Sequence, residues 1–158
     1  MLDLLEMYHV CWVVDELPRA MRQFSELGLR WARPVERAVR VGYADGRMLD
    51  HRINVTYSCD GPLHVELVER TPGSVWEKED HGGPHHVGFW SNDLRSAIGN
   101  ACNAGNHLEA WMVGDDALPA RFAYLRTAQG QRFEFVDSAV RPDLESWLGG
   151  GEYLIRPL

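Results

Sequence analysis

The chain has 158 residues, 45% of them hydrophobic, enough for one compact core but marginal for two separate half-length domains. A formal charge of -7 leaves no basic stripe to displace counterions from phosphates, which argues against nucleic acid as a partner. No apolar run approaches the roughly 20 residues of a membrane span, and the N-terminus lacks a basic stretch followed by an apolar signal core. Cys11, Cys59 and Cys102 are odd in number and lack paired spacing. A disulfide framework is therefore not expected, and a cytoplasmic setting is.

Tyr8 to Val14, rich in Val and aromatics, reads as a strand. Asp15-Glu16-Leu17-Pro18 then supplies helix-start chemistry, Leu17, Ala20, Met21, Phe24 and Leu27 recur at helical spacing, and Gly28 ends the helix. Three strands are expected between Trp31 and Glu69, broken near Ala44-Asp45-Gly46 and Cys59-Asp60-Gly61-Pro62. Thr71 to Pro84, with its glycines and prolines, reads as a linker; His81 within it and His85 just after it are expected as solvated loop histidines. A strand from His86, a helix started by Asn92-Asp93 and stopped at Gly105, and three more strands to Asp137 follow. Pro142 to Leu148 suggests a short closing helix, and Gly149-Gly150-Gly151 a tail that packs or frays.

The second half thus repeats the first. An offset of 77 superposes His9 on His86, Val10 on Val87, Leu17 on Leu94, Ala20 on Ala97 and Gly28 on Gly105 without a gap. Each copy also ends on a similar strand, His64 to Glu69 and Arg132 to Asp137. Such a repeat describes one domain, 1–158, built of a βαβββ module at 7–70, a linker at 71–84, a second module at 85–138 and a tail at 139–158. One helix cannot cover both faces of its own sheet. The expected fold is therefore α+β, with two paired modules forming a curved, mostly antiparallel sheet, helices outside and a concave face inside.

Each module brings one histidine near its start and one glutamate near its end: His9 and Glu66, His86 and Glu134. Glu66 and Glu134 sit between apolar neighbours, and a carboxylate facing a sheet interior is costly unless it binds a cation or is well hydrogen-bonded. Half-buried strands also carry polar residues on their outer faces; recurrence at matching positions in both modules favours the inward reading. Two imidazoles and two carboxylates suit one divalent ion such as Zn, Co, Ni, Mn or Fe(II). Residues two apart share a strand face, so His9 looks the same way as Cys11, His86 as Gly88 and Trp90, Glu66 as His64, and Glu134 as Arg132. Cys11 and Gly88 are small and leave room above the ligands for a substrate. Trp90 is a candidate pocket wall, and Arg132 a candidate partner for an anionic substrate group.

Tyr8-His9-Val10, Val14-Asp15-Glu16-Leu17, Val65-Glu66-Leu67, His85-His86-Val87-Gly88-Phe89 and Gly130-Gln131-Arg132-Phe133-Glu134, in that order and spacing, resemble the vicinal oxygen chelate superfamily. That group includes glyoxalase I, methylmalonyl-CoA epimerase, extradiol dioxygenases and bleomycin-binding proteins. The resemblance covers residues 7 to 137 and is nearest the glyoxalase and epimerase branch. It implies His9, Glu66, His86 and Glu134 as metal ligands, Glu134 as the catalytic carboxylate, and a homodimer acting on a small molecule. The activity implied is a metal-dependent lyase or isomerase moving a proton next to a carbonyl of a small carbonyl compound or acyl thioester. A non-catalytic binder of the bleomycin-resistance type is the alternative; a dioxygenase fits less well, because it uses three protein ligands rather than four. Epimerases of this branch need a second base from the first module, for which Asp50 and His51 are the nearest candidates.

Overall fold

The computed structural model describes residues 6–80 and 82–155, so His81 lies outside the described residues. The first half runs β1 (Met7–Val14), α1 (Leu17–Ser25), β2 (Val35–Tyr43), β3 (Met48–Tyr57) and β4 (His64–Glu69). The second runs β5 (His86–Ser91), α2 (Leu94–Asn103), β6 (His107–Val113), β7 (Pro119–Arg126) and β8 (Arg132–Asp137), before α3 (Arg141–Leu148). Pro18 occupies the first turn of α1, and Asp93 caps α2 by accepting from the Ser96 N–H at 3.0 Å. Helix α1 stops at Ser25, short of the apolar periodicity. Leu27 therefore falls in the turn before Gly28 and is 79% exposed rather than packed.

The fold is α+β, and the curvature of its sheet continues to closure, as an eight-stranded barrel in the order β1-β4-β3-β2-β6-β7-β8-β5. Two neighbour pairs, β1 with β4 and β5 with β8, are parallel; the other six are antiparallel. The halves join within one chain along β1–β5 and β2–β6. Alternation then sorts each strand. Leu67 packs outward with Leu17 and Ala20 under α1, and Phe133 and Phe135 pack with Leu94 and Ile98 under α2. Residues one position away, Glu66 and Glu134, turn into the barrel.

Helix α3 does not join the outer layer. Its Leu144, Trp147 and Leu148 belong to the interior cluster, with Tyr153 and Ile155 packed against it, so the C-terminal segment stops one end of the barrel. Trp147 is 2% exposed and donates its indole N–H to the Arg33 carbonyl at 3.1 Å.

Candidate metal centre

Four adjacent strands, β4-β1-β5-β8, bring the four candidate ligands to one point. His9 and His86 meet Nε2 to Nε2 at 2.9 Å. Glu66 Oε2 lies 3.3 Å from His9 Nε2 and 3.2 Å from His86 Nε2. Glu134 Oε2 lies 3.3 and 3.4 Å from the same two atoms. All four side chains are buried.

Register explains the small residues beside the two histidines. Strands β1 and β5 run antiparallel with His9 opposite Gly88 and Cys11 opposite His86. Each histidine is thus accommodated by the small residue of the other module. A Cβ at Gly88 would stand 1.9 Å from His9 Cε1, far inside any tolerable contact. Gly88 therefore makes room for an imidazole, where the strand pattern had suggested room for substrate. Cys11, wholly buried, serves the same purpose for His86.

A chain of hydrogen bonds orients His86. The Val75 carbonyl can only accept, so His85 Nε2 donates to it at 2.8 Å. Burial, with His86 and Arg132 nearby, depresses the His85 pKa to about 2, so that ring is neutral and its Nδ1 is an acceptor. His86 Nδ1–H must then donate across 2.8 Å to His85 Nδ1, leaving the His86 Nε2 lone pair aimed at the centre. His85, expected to be solvated, is 3% exposed and holds this chain together. Cys11, His85 and His86 could also form a three-ligand group. The ring nitrogens on that side, however, are already committed to one another and to Val75.

The donor set fits a divalent cation. His9, His86 and Glu134 bring their ligand atoms within 4.8 Å of one another, and the separations of 2.9 to 3.4 Å among the imidazoles and from each imidazole to either glutamate match the edges of a coordination polyhedron with bonds of about 2.0–2.2 Å. Glu66 Oε2 is buried with no well-formed hydrogen bond, and the two imidazole Nε2 atoms are its near neighbours. Burial opposes charge on His9, yet Glu66 and Glu134 outweigh it and raise its pKa to about 9. Both carboxylates, in turn, are lowered despite their burial, because the two histidines face them. A cluster carrying two anions and at most one proton is what a dication neutralises.

A cavity of about 40 Å³ opens from the carboxylates. Tyr8, Tyr57, Trp76, Trp90, Phe122, Tyr124 and Trp147 wall it, and Arg37, Arg121 and Tyr153 face it from other sides. Trp90 thus lies where the strand face suggested, stacked on Tyr8 with ring centroids 3.8 Å apart. Cys11, His64, Gly88 and Arg132 do not line the cavity. His64 turns to the Ser58 carbonyl at 2.8 Å. Arg132 makes a two-pronged pair with Glu109 at 2.7 and 2.9 Å and reaches the His85 carbonyl, so it braces β8 against β6. Asp50 is exposed, His51 bonds the Tyr43 hydroxyl at 2.8 Å, and β3 presents Ile53 and Val55 to the cavity instead.

Sequence reasoning missed Tyr8 and Arg121 because both break the alternation rule. The β1–β5 register shifts between Met7 and His9, which lets Tyr8 and His9 both face inward. The β6–β7 register shifts between Trp111 and Val113, opposite Arg121, whose φ is +63°. Arg121 and Phe122 consequently both reach the cavity. Trp76 and Trp147 were missed because they lie in a linker and a terminal helix, where no strand face identifies them.

Among curated proteins none matches this chain. Among solved structures, it is similar to a glyoxalase family protein from Bacillus cereus, at 20% identity over 85% of this chain and 95% of that one, with a TM-score of 0.35. It is also similar to the trypanothione-dependent glyoxalase I of Leishmania major, at 13% identity, 91% and 96% coverage and a TM-score of 0.33. A glyoxalase I variant from Zea mays gives 17% identity, 87% and 48% coverage and a TM-score of 0.32. The profile of one family matches residues 8–124, a stretch that includes His9, Glu66 and His86 and ends in β7. The chain belongs to the glyoxalase/bleomycin resistance protein/dioxygenase superfamily.

Proposed function

We propose that this protein is a divalent-metal-dependent lyase or isomerase of the glyoxalase kind, moving a proton next to a carbonyl of a small substrate. The observation that carries this reading is the convergence of His9, Glu66, His86 and Glu134, with both glutamates lining an aromatic cavity. These four residues would hold the ion, with His85 fixing the orientation of His86. When bound, the ion supplies Lewis acidity towards the substrate's oxygens.

Glu134 takes the proton from carbon. It stays ionised because the two histidines hold its pKa below the ordinary carboxylate value, and it opens onto the cavity where a substrate carbon would sit. Tyr8, Tyr57 and Tyr124 keep their protons, since burial and the nearby carboxylates push their pKa values well up. They act as hydrogen-bond donors and exclude water rather than compete as bases. No carboxylate or imidazole from β3 faces the cavity among the described residues. That favours a single-carboxylate proton transfer over the two-base inversion of an epimerase.

The test is proton exchange in deuterated water, with metal-loaded protein and a panel of hemithioacetals and 2-methyl acyl thioesters. Exchange at the carbon beside the carbonyl, cut by roughly 100-fold or more in Glu134→Gln, is expected. Metal-loaded protein that exchanges none of them while binding a bulky apolar ligand tightly would assign it to sequestration instead.

A further inference from the structure

The cavity has a second polar end. Four described arginines are not fully exposed: Arg37, Arg121, Arg126 and Arg132. Arg126 and Arg132 are paired with Glu79 and Glu109. Arg37 and Arg121 have no carboxylate partner among the described residues, and both line the cavity that holds Glu66 and Glu134. In a chain of net charge -7, two sheltered guanidinium groups without an anion are a marked exception. The Arg121 Nε is buried with no hydrogen-bond partner, and so is the Tyr153 hydroxyl. The Arg37 guanidinium stands 5.8 Å from the Tyr153 ring centroid, and Arg121 lines the same cavity.

The strand layout shows why they gather there. β2 pairs with β6 only at Val41, Gly42 and Tyr43, and β6 ends at Val113. Towards its start β2 therefore diverges from β6, with Arg37 beyond the last pair on one side of the seam and Arg121 on β7 across from it. Arg121 reaches the interior through a left-handed backbone at a bulge. Such a positive φ is uncommon for a residue with a side chain.

We propose that Arg37 and Arg121, with the Tyr153 hydroxyl, form an anion subsite, so that the substrate is a small carbonyl compound bearing a carboxylate or phosphate. Its anionic group sits between the arginines, its apolar part against the aromatic walls, and its carbonyl faces Glu66 and Glu134. A guanidinium pair suits planar, two-oxygen anions. This deepens the proposed function and rests on it for the carbonyl end alone.

The subsite is tested by equilibrium titration of the full chain, followed through the fluorescence of Trp76, Trp90 and Trp147, with propionate, its neutral isostere propionamide, and inorganic phosphate. Each titration is run with Zn2+ bound and repeated after metal removal. Propionate or phosphate should bind at least about tenfold tighter than propionamide, and whichever anion binds tighter names the group recognised. Arg37→Met and Arg121→Gly should each abolish that preference. Arg121→Gly suits the left-handed position, so its melting temperature should hold or rise while anion binding falls, which a merely structural arginine would not produce. Equal binding of propionate and propionamide overturns the proposal. So does anion affinity that survives both substitutions but vanishes with the metal, since the anion then sits on the ion; in that case the metal centre stands. Failure of Zn2+ to bind would remove the metal reading and leave the arginine comparison still readable.

Discussion

Substituting Gly88 by alanine adds one methyl group, yet it should dismantle the metal centre. The new Cβ would lie 1.9 Å from His9 Cε1, 2.2 Å from Nδ1 and 2.6 Å from Nε2. Carbon atoms in contact normally keep about 3.5–4.0 Å, so the ring must retreat by well over an ångström. It has nowhere to go, being wholly buried with ring centroids of Tyr8, His86 and Tyr57 at 4.3, 5.0 and 5.4 Å. Overpacking of this kind costs roughly 1–3 kcal/mol of stability. A second-layer partner's loss already costs about 10–100-fold in metal affinity, so displacing a ligand should cost about 100-fold or more. Zn2+ affinity measured by competition with a chromophoric chelator, alongside urea denaturation of the metal-free protein, separates the two effects. Gly99→Ala is the matched control: its Cβ meets nothing within 4 Å, and it lies within α2. It should stabilise by up to about 1 kcal/mol. Gly88→Ala protein that binds Zn2+ within threefold of the parent would refute the packing argument.

Four other outcomes follow from the same geometry. His85→Phe keeps much of the volume but removes the acceptor for His86 Nδ1–H, so Zn2+ affinity should fall about 10–100-fold; His85→Gln, which restores an acceptor, should recover part of it, and unchanged affinity in His85→Phe would end the relay reading. Because His9 holds its proton up to about pH 9, Zn2+ binding at pH 7 should release a proton and tighten as pH rises towards that value; calorimetry in buffers of different ionisation enthalpy measures the release, and none would contradict the assignment. In metal-free protein the same raised pKa stabilises the fold fully below about 6.5, and that contribution is lost as pH rises through about 9. Trp147→Ala empties the stopper of the barrel, where the side chain is 2% exposed, and should cost about 3–5 kcal/mol by denaturant titration; a loss under about 1 kcal/mol would mean that α3 does not close the core.

The four converging side chains were legible because a repeat marks equivalence without any knowledge of shape. His9 and His86, offset by 77, and Glu66 and Glu134, at the ends of matching strands, could be paired from spacing alone. Period-two alternation then placed both glutamates inward, against Leu67 and Phe133 outward. It failed at Tyr8 and Arg121 for one reason. A bulge inserts a residue that changes which side chains face in, and its position depends on the partner strand rather than on local sequence.

The sequence by itself therefore determined the element order, the two-module plan, the inward carboxylates and the identity of the four converging groups. These rest on local periodicity and internal repetition, which act over a few residues or by direct comparison. Tertiary structure decided the rest. Cross-strand register made Gly88 and Cys11 the seats of the opposing histidines, and packing around Val75 turned His85 into the group that orients His86. The divergence of β2 from β6 left Arg37 and Arg121 facing one cavity. Each of these depends on which distant strand lies alongside, and that is fixed only when the barrel closes.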